Sequence, residues 1–473
     1  MAHSTFEAGE AAPGDPVEER DHRVMEPLEG TMPETSGSDP ISPRLQRIAE
    51  LAKQMPDKAL NPLAHYMDEA WLREAYRRTR KEGAPGVDER TGADYGRDLE
   101  ANLRSLLDRA KSGGYRAPPV RRTYIPKGDG GQRPLGIPTF EDKVLQRAVT
   151  MILEAVYEQD FHEGSFGFRP GRSAHQALET VQTSLMQMGG GYVVKVDIRQ
   201  FFDTVPHDQL REVLRRRVGD GVLQRLIGKW LKAGVMEGGQ WQRLGQGTPQ
   251  GGVISPMLAN VYLHEVLDEW FETQAKPRLR GKAQLVRYAD DAVLLFQHRR
   301  DAERLLEVLP HRFGKYGLEL HPEKTRLISF QRPPRNVKRP RPRPDTFDLL
   351  GFTLYWGRSR RGNWVVKAKT AKDRLSRSLR SIHRWCRSNR HRPIEEQWAV
   401  LCRKMKGHYA YYGVTGNSAA LQAFYQSVRR RWRYWLANRS QRGKMPWWRF
   451  SQLMDRHPLP RPRIRRHYVL PST

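Results

Sequence analysis

Apolar positions along the chain change period several times, and the changes mark elements. Between about 43 and 80 they recur three and four apart, as in HYMDEAWLREAYRRTRK, which predicts amphipathic helix. YGRDLEANLRSLLDRAKSGG repeats the pattern and stops at two glycines, a helix terminus. YRAPPVRRTYIPKGDGGQRPLGIPT alternates around the glycine-rich KGDGG, predicting a hairpin, with a helix from Phe140. GYVVKVDIRQFFDTV reads as a buried central strand and HDQLREVLRRRV as the helix after it. GTPQGGVISPMLANVYLHEVLDEWFETQ is a glycine-rich loop opening a long helix. LVRYADDAVLLF, residues 285–296, reads as two short apolar strands about a turn. DAERLLEVLPHRFGKYGLEL predicts a helix and a short strand, and FDLLGFTLYW a strand. From Lys367 onward the pattern is mostly helical, and no repeat of fixed period occurs.

The ends and one internal stretch break this order. Residues 1–44 are rich in Glu, Pro, Gly and Ser and read as a disordered acidic tail. Residues 331–346, QRPPRNVKRPRPRPDT, hold five prolines and six basic residues and read as an exposed basic loop. The domain reading is therefore 1–44 tail, 45–115 helical extension, 116–358 mixed strand and helix, and 367–473 helical.

Charge sharpens the choice of partner. Of 473 residues, 82 are Lys or Arg and 53 Asp or Glu, a formal net of +29. Residues 1–40 carry ten acidic and two basic side chains, so the remaining 433 residues carry +37. Such an excess calls for a polyanion. The basic residues are scattered through folded-looking segments rather than gathered on one amphipathic helix, and no apolar run is long enough to span a bilayer, which argues against a membrane. The two cysteines, Cys386 and Cys402, have neither pairing pattern nor zinc spacing and fit a reducing cytoplasm.

The candidate chemistry lies in LVRYADDAVLLF. Asp290 and Asp291 interrupt an apolar run, and an unpartnered buried carboxylate costs several kcal/mol. Asp-Asp suits a tight turn; it also suits a divalent cation, which removes the cost of crowding carboxylates. A third aspartate, Asp197, ends the apolar run YVVKV. Taken alone it reads as a solvated strand end. Together, carboxylates at the ends of two apolar strands can hold two Mg²⁺ ions for phosphoryl transfer.

At this point a resemblance enters. YADD in an apolar hairpin with VDIRQFFD upstream resembles the active site of reverse transcriptases. RRTYIPKGDGGQRPLGIPT, SFGFRPGRSAHQAL, GTPQGGVISPMLANVYL, GLELHPEKTRLISF and DLLGFTLYW follow in the order of that family's sequence blocks. YRRTRKEGAPGVD and FRPGRSAH narrow it to the bacterial group II intron-encoded reverse transcriptase/maturases, over about residues 45–455. The resemblance implies an α+β, right-hand polymerase: fingers and palm of antiparallel sheet flanked by helices, then a helical thumb/maturase domain. It implies Asp197, Asp290 and Asp291 as catalytic metal ligands with the Ile198 carbonyl. Lys127, Arg133, Phe202 and Gln250 would bind the nucleotide, Phe202 under its sugar as the selector of dNTP over rNTP. Phe201 is the expected core neighbour. Arg169, Arg172, Lys324, Gly351 and Phe352 would contact template or primer. Each also has a plain reading: solvated turn, helix start, surface lysine or core ring.

The same resemblance covers KGHYAYYGVTGNSAALQAFYQSVRRRWRYWLANRSQRGKMPWWRF, where arginines and tryptophans interleave as phosphate contacts and stacking platforms. Six of the twelve tryptophans lie from Lys367 onward: Trp385, Trp398, Trp432, Trp435, Trp447 and Trp448. Some are expected in the core. No Cys-paired, HNH-type nuclease segment is expected. The implied partners are group II intron RNA, an RNA template with a DNA primer, dNTPs and target DNA, in a bacterial cytoplasm. The competing expectations are a domesticated reverse transcriptase and a non-catalytic RNA-binding splicing factor.

Overall fold

A computed structural model describes residues 41–467, except 127–130, 243–245, 248–250, 338–339 and 441–442. Lys127, Gln250 and most of the acidic tail lie outside the described residues. Two compact units emerge, 41–371 and 372–466.

The first unit opens with α1 (Ser42–Gln54), α2 (Glu69–Arg78), α3 (Gly92–Gly96) and α4 (Leu99–Ser112). The helix predicted over 43–80 is thus two helices. Pro56 and Pro62 cannot continue α1, and the Asp68 side chain starts α2 by accepting from the Trp71 N–H at 2.9 Å. Trp71 is fully buried, its Nε1 donating to the Ala148 carbonyl at 3.0 Å.

The predicted hairpin is β1 (Val120–Pro126) against β2 (Gln132–Ile137), followed by α5 (Phe140–Tyr157) and α6 (Ala174–Gln187). β3 (Gly190–Val196) leads to α7 (Phe201–Thr204), α8 (His207–Arg217) and α9 (Gly221–Lys232). β4 (Val235–Glu237) and β5 (Gln240–Gln242) join the hairpin in one sheet, order β2-β1-β4-β5. α10 (Ser255–Leu263) continues through wider helical turns to Ala275.

The central sheet has order β6-β7-β3-β8, from β6 (Ala283–Tyr288), β7 (Asp291–Phe296) and β8 (Arg326–Gln331). All three pairings are antiparallel. α6 and α11 (Arg299–Lys315) pack on it. Val193, Val194, Val196 and residues 292–296 are buried, which is why both strands read as continuous apolar runs. The short strand expected at GLEL is a single bridge, Leu320 to Ile198. Pro322, two residues on, interrupts the ladder there.

FDLLGFTLYW is not one strand. β9 (Phe347–Leu349) and β10 (Phe352–Arg358) pair antiparallel around Leu350-Gly351, at φ +50° and +78°. Positive φ at both turn residues is the backbone of the tightest hairpins, and glycine supplies one of them without strain. β11 (Trp364–Thr370) completes a three-stranded sheet. Lys367 pairs with Tyr355 in it, so helix begins at Lys372 rather than Lys367. The basic, proline-rich segment before β9 is pinned: Arg358 donates to the carbonyls of Arg335 and Val337, and Trp364 to that of Pro334.

The second unit is helical as expected: α12 (Lys372–Ser388), α13 (Ile394–Tyr412), α14 (Ser418–Ala437) and α15 (Trp447–Arg456). Trp432 is its fully buried anchor, donating to Gln397 at 3.0 Å and meeting Phe450 edge-on. Trp447 and Trp448 are 49% and 65% exposed, with the Arg433 guanidinium 4.3 Å over the Trp447 ring. Core anchor and open platform are thus both present.

Candidate active site

Asp197 stands one residue past β3. Its N–H donates to Thr325 Oγ1 at 3.3 Å, and its carbonyl accepts from the His321 N–H at 2.8 Å. The backbone is tied on both sides, while the carboxylate keeps 28% exposure. Lys324 Nζ lies 3.8 Å from Asp197 Oδ1. The last β3–β7 pair is Val196 with Ala292, so the same register carried one residue further sets 197 across from 291.

In the hairpin, Tyr288 pairs with Asp291, leaving Ala289 and Asp290 as a two-residue turn. The turn reading therefore holds for the stretch, with Asp290 in the turn and Asp291 opening β7, and the turn brings the Asp290 carboxylate within electrostatic reach of Asp197. Burial pushes the Asp290 carboxyl above its ordinary pKa. Its own backbone N–H and Arg133 oppose this; Asp197 pushes the same way, and Arg287 opposes. A buried carboxyl with a second carboxylate beside it makes a pair that a cation would relieve. Asp291 is exposed at the start of β7.

Ala289 sits at φ +57°, a conformation that costs a non-glycine residue about 1–2 kcal/mol. A buried network holds it there. Arg287, fully buried within apolar β6, forks onto Asp268 at 2.8 and 2.5 Å. It also donates to the Ala289 carbonyl at 3.0 Å, to Asn260 at 2.9 Å and to Ser165 Oγ at 2.8 Å. Asn260 in turn donates to the Gly167 carbonyl at 2.6 Å. The segment around Ser165 runs along β6, exchanging backbone bonds with Arg287. A Cβ on Gly167 would strike the Ala289 backbone nitrogen, so only glycine lets this loop lie against the turn.

None of these positioning residues came from the sequence reading. The visible signal was a charged residue inside a buried strand, Arg287, and its partner lies 19 positions away on a helix.

The other expected residues divide. Phe201 is buried and Phe202 half-buried, ring centroids 5.2 Å apart. They belong to helix α7, so their different exposure follows helical geometry and not strand alternation. Arg133 is exposed on β2, opposite Ile125. Arg172 is half-buried over the Phe166 ring at 5.6 Å.

Arg169 departs from its expected template role. It is 5% exposed, clamps Glu158 with two nitrogens and donates to the carbonyls of His162 and Ser165. Its donors face inward, so it braces the FGFRPG loop. Gly351 occupies a hairpin tip, which by itself accounts for the glycine, and Phe352 is 1% exposed with its ring edge-on to His175. Its ring faces the core, not a passing strand. Gly251, at φ +110°, approaches β2: a Cβ there would stand 2.8 Å from the Gly136 carbonyl.

Among the described residues no group of three His, Cys, Asp or Glu side chains forms a protein-only metal site. Two carboxylates and the Ile198 carbonyl still fit Mg²⁺, which is commonly held by one or two carboxylates with substrate phosphates and water. None of the described helices is long and apolar enough to cross a membrane.

Paired carboxylates at the end of one strand and the turn of its neighbour, with Lys324 and Arg133 near them, are the kind of arrangement that a nucleotidyl-transfer site of the polymerase class requires. The chain matches the family described as Reverse transcriptase (RNA-dependent DNA polymerase) over residues 125–354. It is 34% identical to Protein YkfC of Escherichia coli K12 over 366 residues, 69% of this chain and 91% of that protein. It is 44% identical to Group II intron-encoded protein LtrA of Lactococcus lactis over 169 residues, 35% of this chain and 28% of LtrA. Nuclear intron maturase 2 of Arabidopsis thaliana is 28% identical over 179 residues, 29% of this chain and 24% of that protein. The chain belongs to the reverse transcriptase family, in its group II intron-encoded branch.

Proposed function

We propose that this chain copies intron RNA into DNA by two-metal phosphoryl transfer and assists the splicing of that RNA as a maturase. The observation that carries the reading is the convergence of Asp197 and Asp290, held by tied backbone on one side and by the Arg287 network on the other. Asp197, Asp290, Asp291 and the Ile198 carbonyl would hold two Mg²⁺ ions. When bound, such ions lower the pKa of a primer 3′-hydroxyl and stabilise charge on the triphosphate.

The chain's own residues supply the rest. Arg133, with Lys127, would close over the triphosphate from the hairpin, and Gln250 would meet the nucleotide from the loop before α10. The Phe202 ring would stand under the sugar and exclude a 2′-hydroxyl. Arg172 and Lys324 are the template- and primer-facing cations of this reading, and the Leu350-Gly351 turn offers backbone to the primer strand. Arginines and exposed tryptophans of the second unit would bind intron RNA. Target DNA is the further partner and the bacterial cytoplasm the compartment.

The test is primer extension on poly(rA)/oligo(dT) with Mg²⁺. Asp197→Asn and Asp290→Asn should each abolish extension while leaving RNA affinity nearly intact. Full extension by either variant rejects the assignment. A wild type that splices intron RNA without extending would favour the non-catalytic splicing factor.

A further inference from the structure

Away from the aspartates, α9 presents an open groove of about 560 Å³. Its apolar face, including Leu223, Ile227 and Trp230, is buried. The groove face carries Arg225, Lys229 and Lys232, spaced i, i+4, i+7, so they form one row roughly 10 Å long. Arg116 and Arg211 add cations from neighbouring segments. No carboxylate among the described residues pairs with any of the five.

Two details point to a ligand. Arg211 is laid against α9 beside Gly228, so its guanidinium joins the row with no carboxylate beside it among the described residues. The row is also built to stay in place: Lys229 Nζ is held by the carbonyls of Gly113 and Tyr115, at 2.7 and 2.5 Å. The one aromatic lining residue, Tyr115, is 1% exposed, so the groove offers charge and no stacking platform. Phosphates without exposed bases are what a base-paired strand presents.

We propose that this groove binds the phosphodiester backbone of a base-paired RNA segment outside the polymerase cleft. The proposal rests on RNA being the chain's partner. None of the lining residues belongs to the candidate catalytic set. Successive cations along α9 follow successive phosphates of one strand.

The experiment uses the full chain carrying Arg116→Gln, Arg225→Gln and Lys232→Gln together. A second variant, Gly221→Glu, places a carboxylate where a Cβ meets nothing, at the first turn of a helix, where acid is favoured. It therefore changes charge without threatening the fold. Binding is measured on a blunt RNA duplex and a blunt DNA duplex across salt, with extension of a short recessed primer–template as control. Both variants should bind the RNA duplex about tenfold or more weakly. In the triple variant the slope of log affinity against log salt should become shallower by about two to three. Extension should not change. Unchanged RNA affinity and slope, a loss confined to DNA, or an equal loss in extension would each overturn the groove. A wild type that neither binds RNA nor extends would overturn the RNA reading itself, and the groove with it.

Discussion

Arg287 shows how much of this site is held by residues that touch no substrate. Removing one partner of its buried pair with Asp268 leaves an uncompensated charge, at a cost of about 3–5 kcal/mol. Arg287→Ala should therefore lower the denaturant midpoint strongly. The double variant Arg287→Met/Asp268→Leu should recover most of that stability, because an apolar pair can replace a buried ion pair. It should not recover single-turnover extension, since the Ala289 carbonyl and the Ser165 loop have lost their donor; full recovery would reduce the pair to a packing role. A second buried acid gives a pH signature. Burial raises Asp142 to about 6, opposed by the Tyr115 hydroxyl, by Trp230 Nε1 and by Gln146. The folded carboxyl keeps its proton to higher pH than the unfolded one. Its contribution is full below about pH 4 and is lost as pH rises through 6, roughly 3 kcal/mol in all. Asp142→Asn should flatten that part of the stability profile, read as denaturant midpoint against pH. An unchanged slope between pH 4 and 6 would rule the group out as its source.

At the scale of elements, legibility followed distance along the chain. The hairpin about Asp290, β3 and the helical character of the chain after Lys367 were readable from local apolar pattern, though not the bounds of the individual helices. The return of Phe352 onto Leu349 was not, since Leu350-Gly351 carries no polar turn residue and the flanks are apolar. The loop around Gly167 was read through Arg169 and Arg172 as a template contact; its role as a strap along β6 depends on a strand more than a hundred residues later. Arg169 was misread for the same reason, because Glu158 lies across a turn that sequence spacing does not reveal. Gly251 offers the element-scale test. An alanine there meets both a positive φ and the Gly136 carbonyl, so about 1–3 kcal/mol of strain falls on the contact with β2. Gly251→Ala should raise KM for dNTP more than it lowers kcat, with Tm lowered by only a few degrees. Equal effects on both constants would place the damage elsewhere.

For the whole molecule, the sequence-wide excess of positive charge predicts RNA affinity falling steeply and linearly on a log–log plot against salt, because bound phosphates release counterions. A flat profile would contradict electrostatic capture. The broad plan, mixed sheet and helix followed by a helical unit, was legible in period changes alone. The assembly of the site was not, since its parts come from around 165, 197, 268, 289 and 324. The sheet order β6-β7-β3-β8 adds a consequence for synthesis. β3, which delivers Asp197, is the earliest of the four strands to leave the ribosome, yet it is flanked on both edges by strands made roughly a hundred residues later. At about 5–20 residues per second, a nascent chain displays a valine-rich strand with two open edges for several seconds at least. This polymerase therefore passes through a stage in which a central, apolar strand is adhesive on both edges, and holdase chaperones have a natural point of capture there.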